Sequence, residues 1–270
     1  MSTSSSCDDI LIENMWSPVG REPMAYGTPS PFLNQPLNQP SLHAWERPLR
    51  ISPPNGPMES MMVGIIQQKR SLVLCDTTGT ALTGPYQPSL KPLCCPDLSN
   101  STHPVLLILS NILRGLTYRS LPEKIGTLLV LYPVFQWQIS HTFETYNNLP
   151  EWYRPQPSQL IAPHPIWITY IGWPKLRDIV IADQKIYATE EFQFLYTISA
   201  NVNWPYPAAD ALTFEGGDVR ASEAFARHVR QLTNWSLDKP FQSRYPELRD
   251  YCTFTEDRVP AQDLGSGSQR

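Results

Sequence analysis

Charge is what this sequence has least of. Asp, Glu, Lys and Arg make up 17% of its 270 residues, against roughly a quarter in an average domain, and the net charge is −4 with a pI near 5.7. A duplex DNA reader usually carries a basic stripe, because phosphate neutralisation supplies most of its affinity. Here the 21 basic residues are spread thinly, and Gln67-Gln68-Lys69-Arg70 is the densest spot. Direct DNA binding is therefore disfavoured. Long apolar runs are also missing: "VLLILSNIL" from Val105 and "IGTLLVLYPVF" from Ile125 fall short of the roughly 18 residues that span a bilayer. The opening "MSTSSSCDDILIEN" lacks a basic segment followed by an apolar one, so the expectation is a chain that is neither secreted nor membrane-bound. Cysteines are few: Cys7, Cys75, Cys94, Cys95 and Cys252 form an odd set with no C-x-x-C pair, which favours a reduced intracellular chain. Cys94-Cys95 has no second pair to complete a zinc site, and Asn100-Ser101-Thr102 and Asn234-Trp235-Ser236 read as accidental sequons.

Motifs that carry chemistry are equally scarce. There is no G-x-S-x-G elbow, no H-E-x-x-H pair and no G-x-x-x-x-G-K-[ST] loop, and Gly216-Gly217 without a basic partner is a poor phosphate cradle. His164 and Asp178 lie fourteen residues apart, and His141, His228, Asp183 and Asp210 complete only loose pairs of a kind found in any chain of this size. His164 before Pro165 reads as a capping or hydrogen-bonding residue, and Asp178 beside Arg177 as half of a local ion pair or a cap. The expectation is a protein that is not an enzyme and takes no cofactor or metal.

What the chain does have is proline, 28 in all, half of them in the first hundred residues. The tandem "LNQPLNQP" from Leu33 and "ISPPNGP" from Ile51 remove backbone donors and favour extended or turning geometry. Residues 1–100 thus read as a mostly disordered arm, with a short hairpin or helical stub over 59–83. Helical spacing begins after that. Val105, Ile108, Leu109, Ile112, Leu113 and Leu116 share one face of a helix from Pro104 to about Tyr118. A second helix is predicted from Leu121 to about Gln138, broken or kinked at Pro133. "NNLPEWYRPQPSQLIAPHP" from Asn147 must be an extended or turning connector anchored by Trp152. Pro165 and Pro174 sit where each can open a short helix, Thr189 before Glu190 and Glu191 opens another, and Ala221, Phe225, His228, Val229 and Leu232 form an amphipathic stripe. The predicted fold class is mainly α: a helical domain over 101–252, a disordered arm before it and a disordered tail over 253–270.

The densest constellation is "HPIWITYIGWPKLRD", residues 164–178. Trp152, Trp167 and Trp173 can each bury ~150–250 Å², on area grounds about 4–6 kcal/mol at most, which is enough to fix the prolines against a core. The stretch reads as a structural knot. Leu176, Ile179 and Val180 point inward in this reading, leaving Lys175, Arg177 and Asp178 for solvent or a partner.

Five ordered blocks carry a family resemblance: an apolar helix, the W-x-I of "FQWQIS", "LPEWYRPQPSQL", "HPIWI" and "WPKLRD". Together with "FARHVRQLTNWSLDKPFQSRYPELRD" downstream, they make residues 104–250 resemble the fungal domain of unknown function that follows the bZIP region in many filamentous-fungal regulators. The resemblance implies a signature of Trp152, Arg154, Pro155, His164, Pro165, Trp167, Trp173, Pro174, Lys175, Arg177 and Asp178. It also implies a nuclear protein of transcription regulation, some relatives being tied to secondary-metabolite gene clusters, and assigns no catalytic activity. The sequence departs from that pattern in one respect, because it contains no dense basic run with following leucine heptads. The functional expectation is a non-enzymatic regulator or interaction module working with a protein partner, such as a DNA-binding regulator. The alternatives are a sensor holding an apolar metabolite between aromatic helices, and third, a hydrolase.

Overall fold

The computed structural model describes residues 42–74, 83–94 and 103–257. The arm up to residue 41, the turn signal at Thr77–Thr80, Cys7, Cys75, Cys95 and the tail from 258 lie outside them. Among the described residues are eleven α-helices, several 3₁₀ turns and four short strands, so the fold is mainly α.

The centre is α4 (Leu121–Ile139), following α3 (Pro104–Gly115) after a short break. Fifteen of the nineteen residues of α4 are buried, an all-round burial that marks a core helix. It runs through Pro133 without ending: Tyr132, Val134 and Phe135 are packed on every side, and tertiary burial outweighs the one lost backbone bond. Against α4 pack α3, α1 (Pro57–Leu74) and, from the far end of the chain, α10 (Glu223–Val229). The predicted face of α3 is confirmed, with Val105, Leu109, Ile112 and Leu113 buried.

Two parts of the proline-rich half differ from the sequence reading. Residues 42–52 run as a strap along the helices. The Trp137 indole donates to the Trp45 carbonyl at 3.1 Å, and Ile51 forms a parallel bridge with His164. Pro48 suits an extended segment, which is tied down by backbone bonds: the N–H of Arg50 reaches the Gln159 carbonyl and that of Ser52 the His164 carbonyl. The segment read as a hairpin or stub is the eighteen-residue α1, which buries Met62 and Ile66. Residues 83–94, ending in α2 (Lys91–Cys94), are also packed. Gln136 donates to the carbonyls of Gly84 and Pro85, and Leu90 is fully buried. Gly84 has a φ of +87°, and a Cβ there would lie 2.3 Å from the Tyr132 hydroxyl, so only glycine fits.

The stripe predicted around residues 221–232 is divided. Asp218–Ala221 is strand β3, paired antiparallel with β2 (Leu212–Glu215) across Gly216-Gly217. Both glycines have positive φ, as a two-residue hairpin turn requires, which accounts for a pair that looked like a poor phosphate loop. Ser222 then caps α10 by accepting from the Phe225 N–H. Strand β1 (Ala200–Asn201) pairs with β4 (Ser236–Leu237), and α9 (Glu190–Ser199), capped by Thr189 as predicted, packs on α11 (Lys239–Arg244). Of the tail expected over 253–270, the described part is ordered: Phe254 is fully buried and Thr255–Asp257 forms a 3₁₀ turn.

Candidate functional site

Prolines set the geometry of the signature stretch. Pro150 precedes a 3₁₀ turn (Glu151–Tyr153), Pro157 opens α6 (Pro157–Ile161), Pro165 precedes a second 3₁₀ turn (Ile166–Tyr170), and Pro174 opens α7 (Pro174–Ala182). Each spends its missing N–H where no intrahelical bond is needed. The short turns bend the chain around one side chain, Arg177.

Arg177 is fully buried, correcting the expectation that it faces solvent or a partner. Its guanidinium donates to Gln159 Oε1 at 3.0 Å and to the backbone carbonyls of Ile171 (2.7 Å), Trp152 (2.8 Å), Arg154 (3.2 Å) and, at the limit, Gly172 (3.5 Å). Burial lowers its pKa to about 10, with Tyr153, Tyr196 and Asp178 opposing, so it stays charged at neutral pH. The planar fork ties α6, α7 and the connector between them into one unit, which a lysine could not span.

The other signature residues are arranged around that clamp. His164 is buried with both ring nitrogens engaged: Nδ1 donates to the Ala162 carbonyl at 2.9 Å, which leaves Nε2 to accept from the Thr169 hydroxyl at 3.4 Å. Burial lowers its pKa, favouring this neutral tautomer. Asp178 accepts from the Ser158 hydroxyl at 2.5 Å rather than pairing with Arg177. The half-buried Trp152 donates its indole N–H to the Arg230 carbonyl at 3.0 Å. Arg154 lies over the Tyr146 ring at 5.4 Å, Pro155, Pro165 and Pro174 are half-buried, and Lys175 is the only exposed member of the set. His164 and Asp178 therefore hold structural hydrogen bonds and do not converge on a shared point. Among the described residues no three His, Cys, Asp or Glu side chains gather as metal ligands, and no helix is long and apolar enough to cross a membrane.

Beside the clamp is a cleft. It occupies about 780 Å³ including its mouth, with an inner space of about 90 Å³. Its walls come from α1 (Met58, Met62), α3 and α4 (Leu113, Leu131), the signature stretch (Trp152, Trp167, Trp173), α9 (Tyr196) and Trp235. None of the lining side chains is charged. The phenols of Tyr118, Tyr153 and Tyr196 have pKa values pushed up chiefly by burial and remain protonated. The indoles of Trp152 and Trp235 are spent on carbonyls, the latter on that of Val229 at 2.8 Å. The buried Nε1 of Trp173, a residue only 6% exposed, has no hydrogen-bond partner among the described residues.

Three signature tryptophans thus meet at one cavity, together with residues that no local motif marks. Met58, Leu131, Tyr196 and Trp235 are scattered over almost 180 positions, and only the packing of α1, α4 and α9 brings them together.

A mainly helical domain with an uncharged aromatic cleft between its helices has the geometry of small-molecule sites in helical proteins. Residues 132–256 match the family model described as a domain of unknown function (DUF3425), covering the signature stretch and most of the cleft. No curated protein and no solved structure matches the chain.

Proposed function

We propose that this chain is a non-enzymatic regulatory module whose aromatic cleft takes a small apolar molecule. The observation that carries this reading is the cleft itself, uncharged, mostly apolar, pocket-sized and lined by four tryptophans from distant parts of the chain. The resemblance of residues 104–250 to the domain found after bZIP regions in fungi supplies the setting: transcription control in the nucleus, beside a protein partner such as a DNA-binding regulator. Binding would bias how α1 and the signature stretch sit together, and that arrangement is what a partner would read.

The neutral dye N-phenyl-1-naphthylamine, bright only in apolar surroundings, tests the reading. Its emission should rise on titrating the full chain, and Met62→Trp, which fills the cleft from α1, should remove most of the rise. An enhancement unchanged in a folded Met62→Trp chain would place the dye elsewhere and overturn the reading. So would the absence of any enhancement in the wild type.

A further inference from the structure

We infer that the cleft selects a slim, neutral, apolar molecule with a single hydrogen-bond acceptor, a carbonyl or ether oxygen, seated on the indole N–H of Trp173. This rests on the reading of the cleft as a small-molecule site and adds the ligand's chemistry. Burying a donor without an acceptor is costly, and native proteins rarely leave one so. Trp173 is such a case, while Trp152 and Trp235 in the same walls are paired with carbonyls.

Around Trp173 the walls offer donors while their backbone acceptors are taken up, and the reason is Arg177. Its guanidinium takes up the carbonyls of Trp152, Ile171 and Gly172, three residues that line the cleft. The Tyr153 hydroxyl donates to the Tyr170 carbonyl, removing another acceptor. The Gly172 N–H is used on the Tyr196 hydroxyl at 2.8 Å, which leaves the Tyr196 proton with no acceptor among the described residues. The Tyr196 ring stands edge-on to Trp173, with centroids 6.2 Å apart, so the second uncommitted donor neighbours the first.

A ligand bringing only donors would find few acceptors, chiefly the side-chain oxygens of Gln193, Thr127 and Thr197. A carboxylate would lose its hydration with no cation in the walls to replace it. Size sets the remaining limit: an inner space of about 90 Å³ is smaller than the roughly 150 Å³ apolar cavity known to hold benzene, so a guest of one ring or one short chain sits partly in this space and partly in the mouth. Met58 and Met62 give the α1 side adaptable walls for that remainder.

Acetophenone and α-methylstyrene make a matched pair, of nearly the same shape, differing in C=O against C=CH₂. The full-length chain, labelled with ¹⁵N at its indoles, is titrated with each and followed by ¹H–¹⁵N NMR, the Trp173 signal being assigned from its loss in Trp173→Phe. Acetophenone should bind about fivefold more tightly, the factor one neutral hydrogen bond contributes, and should move the Trp173 indole proton downfield. In Trp173→Phe the two compounds should bind alike. Equal affinities in the wild type, with the Trp173 indole unmoved, would overturn the acceptor rule and leave the apolar cleft standing. Failure of both compounds to bind would overturn the cleft reading as well.

Discussion

Replacing Arg177 by methionine keeps the length and most of the volume of the side chain and removes all of its donors. The substitution strands the carbonyls of Trp152, Ile171 and Gly172 around a fully buried side chain, while Gln159 Oε1 keeps the Gln156 N–H and the Arg154 carbonyl keeps the Gln156 side-chain amide. An unsatisfied buried acceptor costs about 1–3 kcal/mol, but the three do not add in full, because the turns relax and water enters. The Gly172 contact is at the limit of a hydrogen bond and adds little. The apolar replacement also relieves the desolvation of a buried guanidinium that has no carboxylate partner, which offsets part of the loss. The net expectation is a destabilisation of about 3–5 kcal/mol, a large fraction of the roughly 5–15 kcal/mol that holds a typical domain folded. For a chain of this size that lowers the melting temperature by about 6–20 °C. Arg177→Lys should lose nearly as much, since one ammonium cannot reach acceptors on three separate elements. Urea unfolding followed by circular dichroism measures both. A loss under 1 kcal/mol in Arg177→Met would refute the clamp, and a lysine variant as stable as wild type would refute its dependence on the guanidinium fork.

Other consequences follow from the same contacts. His141 receives Arg70 Nη2 at 2.7 Å, and burial together with the Arg70 charge lowers its pKa to about 4. The unfolded chain then binds a proton between about pH 6.5 and 4 that the folded one does not, so stability falls as pH drops through that window and is flat for this group above it. Allowing for the partly exposed ring, the His141 share is about 1–2 kcal/mol, and His141→Phe should flatten a plot of stability against pH by that amount. Trp137→Phe removes the bond to the Trp45 carbonyl, and should cost about 1–2 kcal/mol and speed protease cleavage within 42–56, read by mass spectrometry of the fragments.

The helices from Pro104 onward were legible because their signals are local: a proline at the first turn, apolar residues three and four apart, and a threonine cap at 189. The strap was not legible. Its prolines truthfully report an extended chain, but whether an extended chain is packed depends on partners such as Trp137 and His164, more than ninety positions away. Arg177 is an instructive miss. It lies three and four residues from Val180 and Ile181, both buried, so helical spacing put it on the inward face, and only the general tendency of charged residues to be exposed argued otherwise. A run of turn-opening prolines around an inward arginine is a readable sign that backbone carbonyls surround it. The cleft had no such local sign, because its walls come from α1, α4, α9 and Trp235.

Gly126 links the core to the cleft. It lies on α4 where a Cβ would stand 3.2 Å from Cη2 of Trp235 and 3.3 Å from Cγ1 of Val229. For Gly126→Ala two terms oppose each other. Alanine favours the helix by about 1 kcal/mol, while the contacts are tighter than carbon atoms normally keep and a neighbour must shift by a few tenths of an ångström. Val229 is fully buried on α10 and has nowhere to go, whereas Trp235 borders the cleft and can tilt into it. Stability should therefore change by less than about 1 kcal/mol, because crowding and propensity nearly cancel. The cleft, however, should narrow, and both acetophenone and α-methylstyrene should bind more weakly with their preference intact. A Gly126→Ala chain that binds both compounds as the wild type does would mean that the strain is absorbed in the core, and that Trp235 is not a movable wall.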